Sequence, residues 1–172
     1  MNQTQPPGHL PRTYATLIRD RRPSAMARII GSPAHASLRG EVEFYVTPLG
    51  ILVSAEVRGL PHRVAGRPHV FGFHIHEGGL CSGDAGDPFA NAGGHYNPTR
   101  VPHPWHAGDL PPLFGNDGYA WMAVLTNRFR LSDILGRTVI VHDSPDDFVS
   151  QPAGNAGGRI GCGVIYPMTP GR

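Results

Sequence analysis

Histidines spaced for metal binding lie between residues 74 and 142 of this 172-residue chain. His74 and His76 stand two residues apart in an apolar run, and residues two apart on a β-strand project from the same face, so both imidazoles can reach one ion. His142 ends another alternating apolar run, residues 138–142. With a fourth imidazole from a loop, His95, these three form the nitrogen-rich set that copper(II) favours. The alternative is that they are solvated strand histidines.

A second candidate set lies in the loop formed by residues 93–109. Three prolines in this loop exclude a helix, because proline cannot donate the backbone hydrogen bond and clashes with the preceding turn. An irregular segment of this length needs something to order it. Three imidazoles and one carboxylate match a closed tetrahedral zinc site, and a histidine-rich surface loop is the alternative. The predicted zinc ligands are His95, His103, His106 and Asp109, so His95 belongs to both sets.

Short segments of alternating hydrophobicity must position these residues. In residues 41–46, Val42, Phe44 and Val46 share one face, and residues 51–58 alternate in the same way. The Pro and Gly between these two runs predict a hairpin turn over residues 47–50. Residues 119–125 and 159–165 are predicted as further strands. Short strands joined by turns rich in Gly and Pro are typical of an antiparallel sandwich or barrel, so we predict an all-β domain.

Residues 1–25 differ in composition from residues 26–172. The first segment is polar and holds four Arg against one Asp, whereas the remainder holds eleven Arg against twelve carboxylates. We therefore predict a basic N-terminal arm followed by a nearly neutral domain. The domain has no basic stripe with interleaved aromatic residues, which argues against a nucleic-acid partner. No apolar run has the length of a signal peptide or a bilayer span, so no membrane partner is expected.

Several motifs, taken together and in order, resemble the copper/zinc superoxide dismutase family. The matching segments, 72–77, 94–98, 106–109, 136–143 and 154–164, follow the family's order within residues 26–166. The resemblance implies an immunoglobulin-like Greek-key sandwich or barrel of about eight strands with long metal-binding loops. It also implies dismutation of superoxide to oxygen and hydrogen peroxide, with copper as the redox centre and zinc in a structural role.

The resemblance assigns a role to each of the singled-out residues. It implies that His95 is a bridging imidazolate and that Arg159 guides and docks the anion, whereas an arginine that only ties down a loop is the alternative. Asp146 matches a carboxylate that hydrogen-bonds to ligands of both sites, here His74 and His103. Cys81 and Cys162 match the family's disulfide, although two buried thiols are the alternative from the residues alone. The implied ligands are His74, His76, His95 and His142 for copper, and His95, His103, His106 and Asp109 for zinc.

Loop lengths differ from those of eukaryotic members and look more like the bacterial branch. Only two residues separate His103 from His106, and the segment between His142 and Arg159 lacks the Glu and Lys cluster that helps steer substrate. A disulfide favours an oxidising compartment, yet no leader is visible after Met1. We expect a cytoplasmic protein, or alternatively an exported one whose leader this chain lacks, and a homodimer is the working expectation for its assembly.

Three other functions compete with dismutation. A copper chaperone on the same fold typically loses some copper ligands or the arginine, and all of them are present here. A copper-only dismutase lacks zinc ligands, which are also all present. A zinc hydrolase needs an open coordination position, but the predicted zinc set already supplies four protein ligands.

Overall fold

β-strands form most of the regular structure in the computed structural model, which describes residues 13–62 and 69–168. Two short α-helices and two 3-10 turns, at Pro33–His35 and Ala90–Ala92, accompany them. The helices are α1 (Tyr14–Asp20) and α2 (Leu131–Ile134), and the strands are β1 (Ala25–Gly31), β2 (Arg39–Thr47), β3 (Gly50–Arg58), β4 (His69–Phe71), β5 (Phe73–His76), β6 (Leu113–Gly115), β7 (Tyr119–Thr126), β8 (Thr138–His142) and β9 (Arg159–Pro167).

Seven strands form one antiparallel sheet in the order β5-β8-β9-β1-β2-β3-β7, and β4 pairs with β6 in a second, two-stranded sheet. This arrangement confirms the predicted all-β antiparallel fold. The predicted hairpin turn is also confirmed, with Thr47 opposite Gly50. Gly50 has φ 133° and its position leaves no room for a side chain, because an added Cβ would lie 2.3 Å from the carbonyl oxygen of Thr126.

The sheet buries the apolar face of β2 and β3 in the core, as the alternation predicts, but on β3 Leu52 and Ser54 of the opposite face are buried as well. Val42 and Phe44 are fully buried, but Val46 at the end of β2 is 53% exposed while its neighbour Tyr45 is 2% exposed. Burial therefore does not follow the alternation at this end of the strand. The cause is tertiary: the Tyr45 hydroxyl lies 2.8 Å from Glu43 Oε2 and 3.4 Å from the carbonyl oxygen of Ile18 in α1, so the outer face is covered there.

The predicted strand at residues 119–125 is confirmed as β7, and its aromatic side faces outwards. Tyr119 and Trp121 are exposed, whereas Ala120 between them is buried. The short α1 lies within the segment predicted to be an arm, and β1 begins at Ala25. Among the described residues, no helix combines the length and the hydropathy that a bilayer crossing requires.

Two long connections, residues 77–112 and 143–158, return to the end of the sheet where β5 and β8 lie. Backbone bonds from Ile75 to Gly108 (2.9 Å) and from Tyr96 to Ile75 (2.8 Å) attach the first connection to β5. A disulfide joins Cys81 of this connection to Cys162 of β9, as the resemblance implied. The irregular loops are thereby held against the most buried strands of the sheet.

Candidate metal centre

Two groups of buried side chains that can hold metal ions meet at this end of the sheet. Within each group, the candidate ligand atoms all lie within 4.8 Å of one another. The structure thus brings together every predicted ligand, and His95 belongs to both groups. The groups are His74, His76, His95 and His142, and His95, His103, His106 and Asp109.

The first group is assembled by two neighbouring strands. β5 pairs with β8 so that Phe73 lies opposite Val141, and a register irregularity follows at His142. Gly72 permits this close approach, since a Cβ there would lie 2.8 Å from the Cβ of Ala156 and 3.3 Å from Cε1 of His74. The sequence motif contained Gly72, but only the packing reveals why it must be glycine.

Hydrogen bonds to carbonyl groups determine the tautomers of His76 and His142. His76 donates from Nδ1 to the Gly93 oxygen at 2.8 Å, and His142 donates from Nδ1 to the Gly157 oxygen at 3.2 Å. Neutral rings in these tautomers carry a lone pair on Nε2, and the two Nε2 atoms lie 3.3 Å apart. Two lone pairs at this distance repel each other unless they share a cation, so the donors fit a metal ion.

Asp146 determines the tautomer of one ring in each group. Its Oδ2 accepts from His74 Nε2 at 2.8 Å and its Oδ1 accepts from His103 Nε2 at 2.9 Å. Both rings therefore present an unprotonated Nδ1 to their group. Among the described residues, His74 Nδ1, His103 Nδ1 and His95 Nε2 are buried without a hydrogen-bond partner, an arrangement that is costly unless an ion is bound.

The second group is gathered around Asp109. Its Oδ1 lies 2.7 Å from His95 Nδ1 and 3.4 Å from His106 Nδ1, and its Oδ2 lies 3.0 Å from His103 Nδ1. Three nitrogen atoms and one carboxylate oxygen in a buried cluster are a donor set that suits zinc. His103 Nδ1 and Asp109 Oδ2 face each other but do not form a hydrogen bond. Their positions are therefore suitable for two ligands of one ion.

Burial keeps the imidazoles in the form that binds metal. It lowers the pKa of His74 to about 4 and that of His142 to about 3, and it lowers the pKa of His76 well below its usual value. Burial by itself would raise the pKa of Asp146, but hydrogen bonds from His74, the Phe148 backbone and His103 outweigh it and lower the pKa. At neutral pH these three rings are neutral and the carboxylate is ionised, which is the state that metal binding requires.

A cavity of about 770 Å³ opens onto the first group. Arg159 lines it and donates from Nη2 to the Gly93 oxygen at 2.8 Å, the same oxygen that accepts from His76. The guanidinium also forms an ion pair with Asp87. The predicted arginine therefore lies in the cavity wall beside the histidines, and it is held by one loop.

Two further residues hold the second group, and neither was predicted. Gln151 accepts from the backbone N–H of His103 at 3.0 Å and donates to its carbonyl oxygen at 2.8 Å. Arg128 donates to the carbonyl oxygens of Asp109 at 3.0 Å and His106 at 3.4 Å. These side chains hold backbone atoms of residues far away along the chain, so no local sequence pattern identifies them. An antiparallel β-fold with two buried ligand sets that share one imidazole defines the class of proteins that bind two metal ions side by side.

Comparisons with known proteins identify the family. The family profile described as copper/zinc superoxide dismutase matches residues 38–165. A superoxide dismutase [Cu-Zn] of Deinococcus radiodurans is 41% identical over 147 residues, which are 75% of this chain and 78% of that protein. One from Legionella pneumophila is 36% identical over 134 residues, covering 73% and 76%. The solved Cu/Zn superoxide dismutase from Brucella abortus matches with a TM-score of 0.67 and 28% identity, covering 81% of this chain and 98% of that one.

This chain belongs to the copper/zinc superoxide dismutase family. Its function is the dismutation of superoxide to oxygen and hydrogen peroxide, with copper and zinc as cofactors. The bacterial origin of these relatives confirms the predicted resemblance to the bacterial branch.

Proposed function

We propose that the four-histidine group holds copper, that the group around Asp109 holds zinc, and that the imidazolate of His95 is shared between them. One observation supports this proposal above all others. His95 Nδ1 lies 2.7 Å from Asp109 Oδ1, while its Nε2 is buried without a partner among the described residues. The His95 ring also lies against that of His74, with centroids 3.9 Å apart. One ring therefore offers a nitrogen to each group.

Copper supplies reversible one-electron exchange with superoxide, and zinc supplies a fixed charge without redox chemistry. His95 supplies the acid and base function. Its Nε2 has no hydrogen-bond partner among the described residues, so this atom would be free to take up a proton whenever it is not bound to copper, and to give that proton up again. Two superoxide ions and two protons become one oxygen molecule and one hydrogen peroxide molecule, so proton delivery is as necessary as electron transfer.

Arg159 attracts and positions the anion. Its guanidinium keeps its positive charge at any physiological pH, and it lies in the wall of the cavity that reaches His76, His95 and His142. The backbone oxygen of Gly93 accepts from both Arg159 and His76, which links the position of the cation to that of a proposed copper ligand. A small anion that docks at this guanidinium is thereby brought close to the redox centre.

Asp146 orients both ligand sets. By accepting from one ring of each set, it ties the tautomer of His74 to that of His103.

The remaining proposals concern the whole chain. We propose that residues 26–172 form the dismutase domain and that residues 1–25 are an arm, that the protein assembles as a homodimer, and that it works in the cytoplasm. Sedimentation analysis and cell fractionation test the last two.

Metal analysis combined with a superoxide consumption assay tests the proposed site. Purified protein reconstituted with both metals should hold about one copper and about one zinc per chain. When Cu(II) is loaded into both ligand sets, the two ions should be magnetically coupled through the shared imidazolate. Replacing His95 with Ala should abolish this coupling. Zinc binding without copper binding, together with no superoxide consumption, would contradict the proposal and favour another function of this fold.

A further inference from the structure

The loop after β5 places a carboxylate, Asp87, directly on Arg159. Asp87 Oδ2 accepts from Arg159 Nη1, and Asp87 Oδ1 accepts from the backbone N–H of Phe89 at 3.1 Å. The guanidinium also donates to the carbonyl oxygens of Gly93 at 2.8 Å and Phe89 at 3.5 Å. Arg159 is therefore held by three acceptors from one loop, of which only Asp87 is charged.

The ion pair lies in the wall of the cavity that leads to the proposed copper ligands. Asp87 and Arg159 both line the cavity that reaches His95 and His142. Their side chains are 40% and 21% exposed, so the pair is only partly surrounded by water and is less screened than a surface pair. An anion in this cavity is attracted by Arg159 and repelled by the carboxylate bonded to it.

We propose that Asp87 lowers the reaction rate by neutralising Arg159, which weakens the attraction of the cavity for superoxide. This inference rests on the role proposed above for Arg159. The Gly93 oxygen holds Nη2 at 2.8 Å independently of Asp87, so we expect the guanidinium to stay in the cavity wall when the carboxylate is removed. What Asp87 adds is a negative charge, and it also occupies Nη1, a donor that an anion would otherwise use.

Two substitutions separate this charge from the loop structure. Asp87→Asn and Asp87→Ser remove the charge and keep an oxygen that accepts from the Phe89 N–H. Glu41→Gln is the matched control: it makes the same change in net charge, on an exposed residue of β2 outside the cavity lining. Metal content is measured for each protein, so that rates are compared per bound copper.

The second-order rate constant for superoxide is measured by pulse radiolysis as a function of ionic strength. We expect both Asp87 variants to react about two- to fivefold faster than the wild type at low ionic strength, to depend more steeply on salt, and to converge with the wild type at high salt. Azide is a small anion that serves as an equilibrium probe. Followed by Cu(II) absorption, it should bind about two- to fivefold more tightly to both variants.

Rates and azide affinities that match those of Glu41→Gln would overturn the inference. Slower variants with normal copper content would also overturn it, because they would mean that Asp87 aims the arginine rather than weakening it. Failure of the proposed function gives a different result, since wild-type protein loaded with both metals would then consume no superoxide. Normal wild-type turnover with unaltered Asp87 variants would refute only the role of Asp87.

Discussion

Removing the carboxylate of Asp146 should weaken both metal sites, and zinc more than copper. In Asp146→Ala, the Nε2–H groups of His74 and His103 both lose their acceptor while their rings stay buried. A hydrogen bond to a charged group contributes about 1.5–3 kcal/mol. Loss of an outer partner of a metal ligand typically lowers affinity about 10- to 100-fold. If the two rings were otherwise held equally well, each metal affinity would fall about 30-fold.

The two rings differ in what else holds them. His74 is 0% exposed on β5, where strand pairing and packing restrict its ring. His103 lies on an irregular loop, and its backbone is held mainly by Gln151. Without Asp146, the His103 ring can turn or change tautomer more easily than the His74 ring. The loss of zinc affinity should therefore approach about 100-fold, while that of copper stays nearer about 10-fold.

Competition titrations with chelators measure the two affinities separately, and circular dichroism verifies the fold of each variant. Asp147→Ala is the control, because this exposed carboxylate bonds to Ser150 and to the backbone of Val149 and touches neither metal set. Unchanged affinities in Asp146→Ala would refute the coupling of the two tautomers. A variant that loses copper and keeps zinc would refute the ranking based on loop freedom.

Three further perturbations follow from the packing and protonation of the site. Gly72→Ala should lower the free energy of unfolding in urea by about 1–3 kcal/mol, because the new Cβ would lie 2.8 Å from the Cβ of Ala156. Gly158→Ala is the control and should behave as wild type, since its Cβ would have no contact under 3.5 Å. Replacing both cysteines by serine should lower the free energy of unfolding of the metal-free protein by about 4 kcal/mol, because the disulfide restricts the unfolded chain by closing a loop with a sequence separation of 81. A loss below about 1 kcal/mol would contradict this explanation. Burial lowers the pKa of His74 to about 4 and that of His142 to about 3. Below about pH 6.5 the unfolded chain therefore takes up protons at these rings that the folded chain excludes. The free energy of unfolding of the metal-free protein should fall as the pH decreases, by about 2 kcal/mol per pH unit near pH 5. Equal unfolding free energies at about pH 7 and about pH 5 would contradict the last expectation.

Local patterns were sufficient to single out the candidate metal-binding residues and to predict most of the strands. His74 and His76 share a face because side chains alternate along any strand, whatever the strand packs against. The prolines of residues 93–109 likewise exclude a helix by their own covalent structure. The hairpin at residues 47–50 was predictable for the same reason, since its turn chemistry is contained in four consecutive residues.

Where burial departs from the alternation, a neighbour distant in sequence decides the outcome. Tyr45 is buried on the outer face of β2 because Ile18 of α1 lies beside its hydroxyl. A pattern with a period of two residues describes which side chains share a face. It does not describe which face another part of the chain will cover.

The sequence alone thus determined which side chains can bind metal and on which kind of element each of them lies. Only the tertiary structure decided which distant partners face each other where no motif predicted a contact: Gln151 with the backbone of His103, and Asp87 with Arg159. These two contacts join residues 48 and 72 positions apart. Such pairs depend on how the loops fold back across the sheet, and that return path is set by long-range packing rather than by local propensity.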